Sequence, residues 1–390
     1  MLAISINLDK NCNLIVGTNS RGKTTVLQLI TIGLLNIDYV PFINNWYNIV
    51  RKDFEKGYFS LEILYKDELL KLEYEIDQDD KIALISRKTD IEKIKNILVL
   101  GYGSNRYIKY QEEKSNNIKI QPIATLFGEN DYLKHIRRLN TYLQLETHFD
   151  SLKDLINEIF DKADKSNKVK LEKFDSEYKI EKLITFYFST PTNPQNFIPL
   201  ESLSDGFKAT FVWLFDMIIR IVENLGNIYN RKEISGIIVI DEIDLHIHPR
   251  WQRTIFPTLC DLFPKIQFIV TTHSDLVAQS VKPEFIKKLY LNEMDFSVGI
   301  TNVKYGKGSS SNFIYDDVFD VKETFDVETE AELKKFLKLR NSVLEKKISI
   351  NDKKVKNIVE KLISKSKQLE ILVSHELNQM QRLTEEKFEL

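Results

Sequence analysis

The sequence predicts an α/β protein: a mixed or parallel sheet flanked by helices, with an antiparallel β subdomain. Three observations favour this fold class. A glycine-rich loop joins an apolar strand to a helix-like run at residues 13–30. Two later strands, 234–240 and 267–271, are continuously apolar, which is typical of parallel strands covered on both faces. Residues 58–100 alternate strand-like runs with charged turns, which indicates antiparallel strands.

The amino-terminal residues 1–16 are predicted to form two short strands, and the second leads into the glycine loop. That loop, GTNSRGKTT, satisfies the pattern G-x-x-x-x-G-K-[ST]. Glycines let amide N–H groups point at phosphate oxygens, and the following helix adds its positive N-terminal end. Lys23 would then reach the β- and γ-phosphates of ATP, and Thr24 would place its hydroxyl on Mg²⁺.

The cofactor-binding residues predicted in this loop are Gly17, Asn19, Ser20, Arg21, Gly22, Lys23, Thr24 and Thr25. The alternative is a glycine turn that precedes a core helix. Ser20 and Arg21 favour that alternative, because small residues and often another glycine occupy the middle of such loops. Arg21 is expected to point away from the phosphates, toward a partner.

A second anion site is predicted in ESLSDGFKATFVW, residues 201–213. Ser204, Asp205 and Gly206 stand there at the start of a predicted helix. A hydroxyl, a glycine amide and a helix N-terminus together can bind an anion. Taken alone, the stretch would be an ordinary helix cap.

Two carboxylates follow a continuously apolar strand in GIIVIDEIDLHIHPRWQ, residues 236–252. Open α/β sheets bind ligands at the carboxyl ends of their strands. Asp241 is therefore predicted to hold Mg²⁺ through water, and Glu242 to act as general base on the attacking water. The alternative, acidic residues that cap a surface strand, loses support when the glycine loop is present in the same chain.

The next apolar strand, in FIVTTHSDLV, ends in Thr271, Thr272 and His273. A histidine at this position is predicted to sense the γ-phosphate and orient the water; the alternative is a structural histidine. His246 and His248 form an H-x-H pair, but no cysteine or third histidine is near them in sequence, so a zinc site is disfavoured.

The patterns divide the chain into four parts. Residues 1–130 carry the glycine loop and the antiparallel strands, and residues 131–178 form a helical insertion. Residues 179–310 carry the second half of the site. Residues 311–390 form a helical appendage. Within it, apolar stripes at i, i+3 and i+4 over residues 327–388 predict two or three antiparallel helices whose favoured role is packing or dimerisation.

Composition excludes several other classes. The net charge of −2 does not indicate a uniformly basic nucleic-acid surface, although local patches stay open. The two cysteines, Cys12 and Cys260, are far apart in sequence, which argues against a disulfide scaffold or a cysteine zinc site. The start lacks a signal-peptide layout and no apolar run reaches about 18 residues, so we expect a cytoplasmic protein without a membrane segment.

The motifs GTNSRGKTT, LSDGF, IIVIDEID and TTHSD, in this order, resemble the Walker A, signature, Walker B and switch-histidine motifs of ABC-type ATPases of the RecF and SMC kind. Within that class, DEIDLHIHPRWQ, FPKIQFIVTTHSD, NILVLGYGSNR and YGKGSSSNFIYDDVFDV are most similar to AAA ATPases of bacterial anti-phage systems. The relatives suggested are the PtuA subunit of Septu and retron-associated PtuA-like ATPases. The resemblance covers nearly the whole chain.

This resemblance implies an ATPase that uses ATP and Mg²⁺ and pairs head to tail, so that Ser204 and Gly206 contact the γ-phosphate bound by Lys23 of the other protomer. It implies a homodimer or higher homo-oligomer that senses infection and controls a separate effector, for which a nuclease, including the HNH type, is the expected class. DNA or retron RNA/DNA stays open as a further partner.

Two other functions stay open. A RecF-like DNA repair or maintenance ATPase would clamp DNA, and a nucleotide-binding scaffold would hydrolyse ATP slowly or not at all. Asp205 stands where the transporter-like signature has glycine, which disfavours a transporter motor. The family's Mg²⁺-lining glutamine has no secure position here, and Asn105 and Gln111 are its candidates.

Overall fold

The computed structural model describes residues 4–19, 21–35, 50, 54–77, 82–85, 93–94, 97–104, 123–127, 139–165, 169–177, 183–225, 230–292, 294, 297–321, 323 and 325–389. The chain divides into two compact units, residues 1–320 and residues 321–390. The four-part division drawn from the sequence stays a prediction.

The strands of the first unit are β1 (Cys12–Val16), β2 (Lys56–Tyr65), β3 (Glu68–Asp77), β4 (Ile82–Leu84), β5 (Leu98–Tyr102), β6 (Lys170–Glu177), β7 (Leu183–Thr190), β8 (Asn193–Pro199), β9 (Gly236–Ile240), β10 (Ile266–Thr271), β11 (Ile286–Leu291) and β12 (Val298–Asn302). Its helices are α1 (Lys23–Leu35), α2 (Leu139–Ala163), α3 (Asp205–Leu225), α4 (Pro249–Gln252), α5 (Ile255–Leu262), α6 (Asp275–Ala278) and α7 (Ser311–Phe319).

A six-stranded mixed sheet forms the centre of this unit, in the order β12-β11-β1-β10-β9-β5. β1 is parallel to β10 and β11, β9 is parallel to β10 and β5, and β12 is antiparallel to β11. The carboxyl ends of β1, β9 and β10 therefore lie at one edge of the sheet. The glycine loop, Asp241 and Thr271 are placed there by register alone.

The central strands β1, β9 and β10 are buried on both faces, as continuously apolar strands require. On one face Ile15, Val239 and Ile269 pack in a cluster with Leu27 of α1 and with Leu72 of β3. On the other face Leu14, Ile238 and Phe268 belong to a second cluster that includes side chains of α2 and α3. The sheet thus lies between two apolar layers, which hold its polar carboxyl edge in one position.

Two three-stranded antiparallel sheets, β2-β3-β4 and β6-β7-β8, accompany the central sheet. The first confirms the antiparallel pattern predicted over residues 58–85. β5 differs, because its five residues are all buried and it runs parallel to β9 in the central sheet. The sequence prediction wrongly grouped β5 with the antiparallel strands, because β5 also follows a charged turn.

The predicted strand at the very start is wrong for the described residues 4–9, which form no strand. Side-chain amides there take the place of a strand ladder. Asn13 Nδ2 and Gln267 Nε2 both donate to the carbonyl of Asp9, at 2.9 and 2.7 Å. The alternation still buries side chains, since Ile6 and Leu8 pack against the α1-side cluster.

The second unit contains three helices, α8 (Val327–Leu344), α9 (Lys353–Ile363) and α10 (Lys367–Thr384), among its described residues. Each begins at a capping side chain: Asp326, Asp352 and Ser366 accept from backbone N–H groups of the first turn. Their apolar stripes meet in one cluster around Phe336 and Val359. The two or three helices expected in this region are therefore present.

Candidate functional site

The glycine loop closes between β1 and α1 and requires its two outer glycines. Gly17 has φ +147°, and a Cβ there would lie 2.5 Å from the carbonyl oxygen of Leu289. Gly22 has φ +80°, a conformation that side chains with a Cβ rarely adopt. Asn19 is exposed and Thr25 is half-buried on α1, and Ser20 lies outside the described residues. The described part of the loop thus depends on its two outer glycines.

Lys23 is a buried cation held by carbonyl oxygens. It is 7% exposed, and its Nζ donates to the carbonyls of Gly17 at 2.8 Å and Thr18 at 3.1 Å. Burial lowers the pKa of Lys23, and the nearby carboxylates Asp241, Glu242 and Asp244 act in the opposite direction. Among the described residues no carboxylate forms an ion pair with Lys23. Its charge is therefore available to an anion.

Asp241 is the residue that joins the two halves of the site. It is 4% exposed, and its Oδ2 accepts from Thr24 Oγ1 at 2.6 Å across 217 positions of sequence. Its Oδ1 accepts from Thr271 Oγ1 at 2.5 Å, and its backbone N–H donates to the carbonyl of Tyr102 at 2.7 Å. Both oxygens and the amide of Asp241 are thus fixed by neutral partners.

Glu242 follows in a strained backbone conformation. Its φ of 48° lies in the left-handed region, which costs a non-glycine residue about 1–3 kcal/mol. Its N–H donates to Thr271 Oγ1 at 2.8 Å, so one hydroxyl bridges Asp241 and Glu242. The turn leaves Glu242 half-buried at the sheet edge, beside Lys23.

The switch segment after β10 is tied to the same turn. Thr272 Oγ1 donates to Asp244 Oδ1 at 2.5 Å, and the backbone N–H of His273 donates to the same oxygen at 3.3 Å. Gln252 Nε2 donates to the carbonyls of Asp244 and Ile247 at 3.2 and 3.0 Å. His273 is half-buried and is positioned through its own backbone.

The residues that the sequence analysis left without a role are Thr271 and Asp244. Thr271 stands at the end of β10, next to the strand that ends before Asp241, so hydroxyl residues at neighbouring strand ends were the available signal. Asp244 could not be recognised, because its contacts with the switch segment exist only in the folded turn.

The signature residues Ser204, Asp205 and Gly206 lie at the start of α3, and Gly206 approaches the turn at His246. A Cβ on Gly206 would lie 2.9 Å from the carbonyl oxygen of His246, so a glycine is required by this close approach. The Asp205 side chain is fully exposed and pairs with Lys208 at 2.7 Å. In the described part of the chain, none of the three forms a hydrogen bond with the glycine loop.

Arg21 Nε donates to Thr18 Oγ1 at 3.0 Å, and its orientation away from the phosphates stays a prediction. His246 and His248 are exposed, and His248 Nδ1 accepts from the N–H of Arg250 at 3.3 Å. Asn105 and Gln111, the glutamine-equivalent candidates, lie outside the described residues.

The site residues fit ATP and Mg²⁺. Mg²⁺ prefers oxygen ligands, and the Thr24 hydroxyl and the Asp241 carboxylate meet at one point. A phosphate chain needs a cation and inward-facing amides, and Lys23 lies at the N-terminus of α1. The arrangement can therefore bind a nucleoside triphosphate with its metal.

A family model described as "AAA domain, putative AbiEii toxin, Type IV TA system" matches residues 12–278. The match spans the glycine loop, the signature residues, Asp241, Glu242 and His273. It includes every site residue proposed from the sequence.

The chain is similar to two curated bacterial proteins. It is 27% identical over 340 residues to "Septu protein PtuA" of Bacillus mycoides (strain KBAB4), an alignment that covers 83% of this chain and 44% of the relative. It is 23% identical over 407 residues to "Retron Ec83 probable ATPase" of Escherichia coli, covering 83% of this chain and 74% of the relative. The chain thus spans less than half the length of the first relative. These similarities confirm the resemblance inferred from the motifs.

The fold is similar to that of a solved SMC head, in the crystal structure of the SmcHead bound to the C-winged helix domain of ScpA. The TM-score is 0.51 at 14% identity, covering 77% of this chain and 93% of that one. This confirms an ABC-type ATPase head with a mixed sheet, flanking helices and antiparallel sheets. No described helix is long and apolar enough to cross a membrane.

Proposed function

The chain belongs to the AAA-domain family whose model it matches over residues 12–278, and on that premise we propose that it is the ATP-binding and ATP-hydrolysing subunit of an anti-phage defence system. The observation that carries the chemistry is the convergence of Thr24, Thr271 and Tyr102 on Asp241. The similarity to Septu and retron ATPases supports the defence role.

The residues divide the work of hydrolysis. Lys23 and the loop amides bind the phosphates, and Thr24 with Asp241 would hold Mg²⁺, which neutralises charge on the phosphates when it is bound. Glu242 takes the proton of the attacking water, a role worth typically 10²–10⁴ in rate. His273 orients that water at the γ-phosphate, held in place through Asp244.

A second protomer would complete the site. Ser204 and Asp205 are exposed at the N-terminus of α3, and this helix end can take a phosphate carried by another head. The proposal is a head-to-tail homodimer or larger assembly, in which ATP bound by one protomer contacts the signature residues of the other. ATP then controls the assembly.

The assembly controls a separate effector, and a nuclease is the proposed class. The motifs of this chain supply ATP chemistry, and the proposal assigns the destructive step to a neighbouring gene product. The same proposal includes DNA or retron RNA/DNA as a candidate further partner of the complex. Copurification with the products of adjacent genes tests for the effector. If no such product copurifies and the locus gives no protection against phage, the effector proposal is wrong.

The decisive experiment is phage plating on cells that carry the gene with its native neighbours, beside a locus with Lys23→Ala. We expect protection in the first and its loss in the second, with equal protein levels by immunoblot. If the intact locus protects against no phage and the isolated protein instead binds duplex DNA in an ATP-dependent, salt-sensitive way, the RecF-like DNA-maintenance function replaces this one.

A further inference from the structure

A buried polar cluster of Tyr102, Asp216 and Arg220 lies between the signature helix α3 and the central sheet. Arg220 Nε donates to Asp216 Oδ2 at 2.7 Å, and both side chains are at most 4% exposed. Tyr102 Oη donates to the same oxygen at 2.8 Å. Asp216 and Arg220 are one turn apart on α3, and Tyr102 is the last residue of β5.

This cluster is not explained by stability. Removing two charges from water costs several kcal/mol per ion, and apolar residues of similar volume often stabilise a fold as well or better. Asp216 Oδ1 has no hydrogen-bond partner among the described residues, which adds to the cost. The surrounding residues Trp213, Phe215 and Ile219 are buried and apolar. A polar cluster in this layer therefore needs another reason.

The cluster connects two functional groups. Through α3 it is rigidly joined to Ser204–Gly206, since the helix runs unbroken from Asp205 to Leu225. Through Tyr102 it reaches the metal-site carboxylate, because the Tyr102 carbonyl accepts from the N–H of Asp241 at 2.7 Å. Tyr102 also follows Gly101, whose carbonyl accepts from Thr125 Oγ1 at 3.1 Å, so the end of β5 is fixed from both sides.

We propose that Tyr102, Asp216 and Arg220 are positioning residues that couple the signature helix to Asp241. A displacement of α3 moves the Asp216 carboxylate, and Tyr102 moves with it because its hydroxyl donates to that carboxylate. The Tyr102 carbonyl accepts from the N–H of Asp241, so the backbone of Asp241 is displaced in turn. The inference rests on the proposed function, since it takes Asp241 as the Mg²⁺ residue and Ser204–Gly206 as the contact with a second protomer. It adds the route by which the second protomer would adjust metal binding.

The test measures metal-dependent nucleotide affinity, which does not require turnover. The probe is the non-hydrolysable ATP analogue AMP-PNP, titrated into the full chain in EDTA and again with Mn²⁺. The variants are Tyr102→Phe, which removes one hydroxyl, and Asp216→Leu with Arg220→Met, which replaces the charges by apolar groups. Tyr74→Phe is the matched control, because Tyr74 is also buried and its hydroxyl donates to the carbonyl of Gly33 at 2.6 Å, on α1.

We expect both cluster variants to weaken the Mn²⁺-dependent gain in affinity about tenfold, as loss of groups that support metal ligands typically does. Affinity in EDTA should stay unchanged, and Tyr74→Phe should match the unaltered protein in both titrations. An unchanged Mn²⁺ gain in Tyr102→Phe, or an equal loss with and without metal, would overturn the inference. Should the double variant fail to fold, the Tyr102→Phe titration decides alone.

The two proposals fail separately. If the unaltered protein binds Mn²⁺·AMP-PNP and the cluster variants lose the metal gain, the inference stands even when phage plating shows no defence. If the unaltered protein binds AMP-PNP without any Mn²⁺ gain, the coupling inference falls while nucleotide-dependent defence remains open.

Discussion

The nucleotide edge of the first unit and the helical second unit both bury charge, and they treat it differently. In the second unit Glu332 is 4% exposed and pairs with Lys361 and with Lys365, the latter at 2.8 Å. At the nucleotide edge Asp241 is held by two threonine hydroxyls and an amide, and Lys23 by two carbonyls.

The difference separates structural from functional charge. A buried carboxylate that is paired with lysines has its charge neutralised inside the fold, and its contribution is to structure. A buried carboxylate and a buried lysine that are held in place by neutral groups keep their charges for a ligand. Burying unpaired charge lowers the stability of the fold. Binding of a metal ion and a phosphate chain would offset that loss.

The largest effect is expected on ATP hydrolysis, from substitution of the proposed general base Glu242. Glu242→Gln should lower ATP hydrolysis by about 10²–10⁴-fold, because the amide cannot accept the water's proton. ATP binding should persist and the closed dimer should accumulate. Single-turnover hydrolysis and gel filtration with ATP measure the two. The matched control is Glu284→Gln on the exposed surface, and unchanged turnover in Glu242→Gln would remove that residue from the base role.

The second-largest effect is expected for Lys23→Met. ATP affinity should fall about 100-fold, because a buried charged partner of the phosphates is lost. The same change removes a buried charge that burial already disfavours, so the nucleotide-free protein should unfold at an equal or higher temperature. Calorimetric titration and thermal unfolding without nucleotide check both. A large loss of thermal stability would mean that the lysine is structural, as Glu332 is.

The pH dependence of ATP binding also distinguishes the two kinds of buried charge. Burial lowers the pKa of Lys23 from its ordinary value of 10.5. The charged form that phosphates need is therefore present below this lowered pKa and is lost above it, at a lower pH than for a solvent-exposed lysine. ATP affinity of the unaltered protein should fall as the pH rises through this lowered pKa. In Lys23→Arg it should stay level over the same pH range, since arginine remains charged.

Glu332→Gln should have the opposite effect: it should lower the stability of the second unit and leave ATP affinity unchanged. Hydrogen bonds from Lys361 and Lys365 lower the pKa of Glu332 from its ordinary 4.5. Its stabilising contribution is thus present above about pH 4.5 and is lost as the pH falls through the lowered value. Hydrogen exchange across α8 and α9 at pH 7 should be faster in Glu332→Gln than in the unaltered chain, and the difference should vanish in acid.

The smallest effect is expected at a helix cap of the second unit. Asp326 accepts from the N–H groups of Glu328 and Thr329, both at 3.1 Å. Asp326→Ala should destabilise α8, because the capping oxygen of its first turn is lost, and this should be read as faster hydrogen exchange of that turn. Asp326→Ser should restore most of the lost stability, and ATP affinity should be unchanged in both.

Much of the site could be predicted from short segments. The glycine loop, the Asp241–Glu242 pair and the strand that ends in His273 are local patterns, in which chemistry and secondary structure occur together. β6 lies within residues 131–178, which the sequence wrongly predicted to be helical throughout, and β8, which contains Pro194 in a polar stretch, was not predicted. An edge position in the sheet β6-β7-β8 tolerates a proline, because one side of an edge strand needs no ladder partner.

The type of each active-site group, and the strand or helix end that carries it, follow from the amino-acid sequence, because those properties depend on residues within a few positions of each other. Three other features follow only from the packed fold: β5 joins the mixed central sheet, Thr271 bridges Asp241 and Glu242, and Tyr102 contacts Asp216. Each depends on contacts between distant segments, such as Thr24 and Asp241 at a separation of 217 residues. Local periodicity is the same whichever distant strand becomes the neighbour, so only the packed sheet could select these partners.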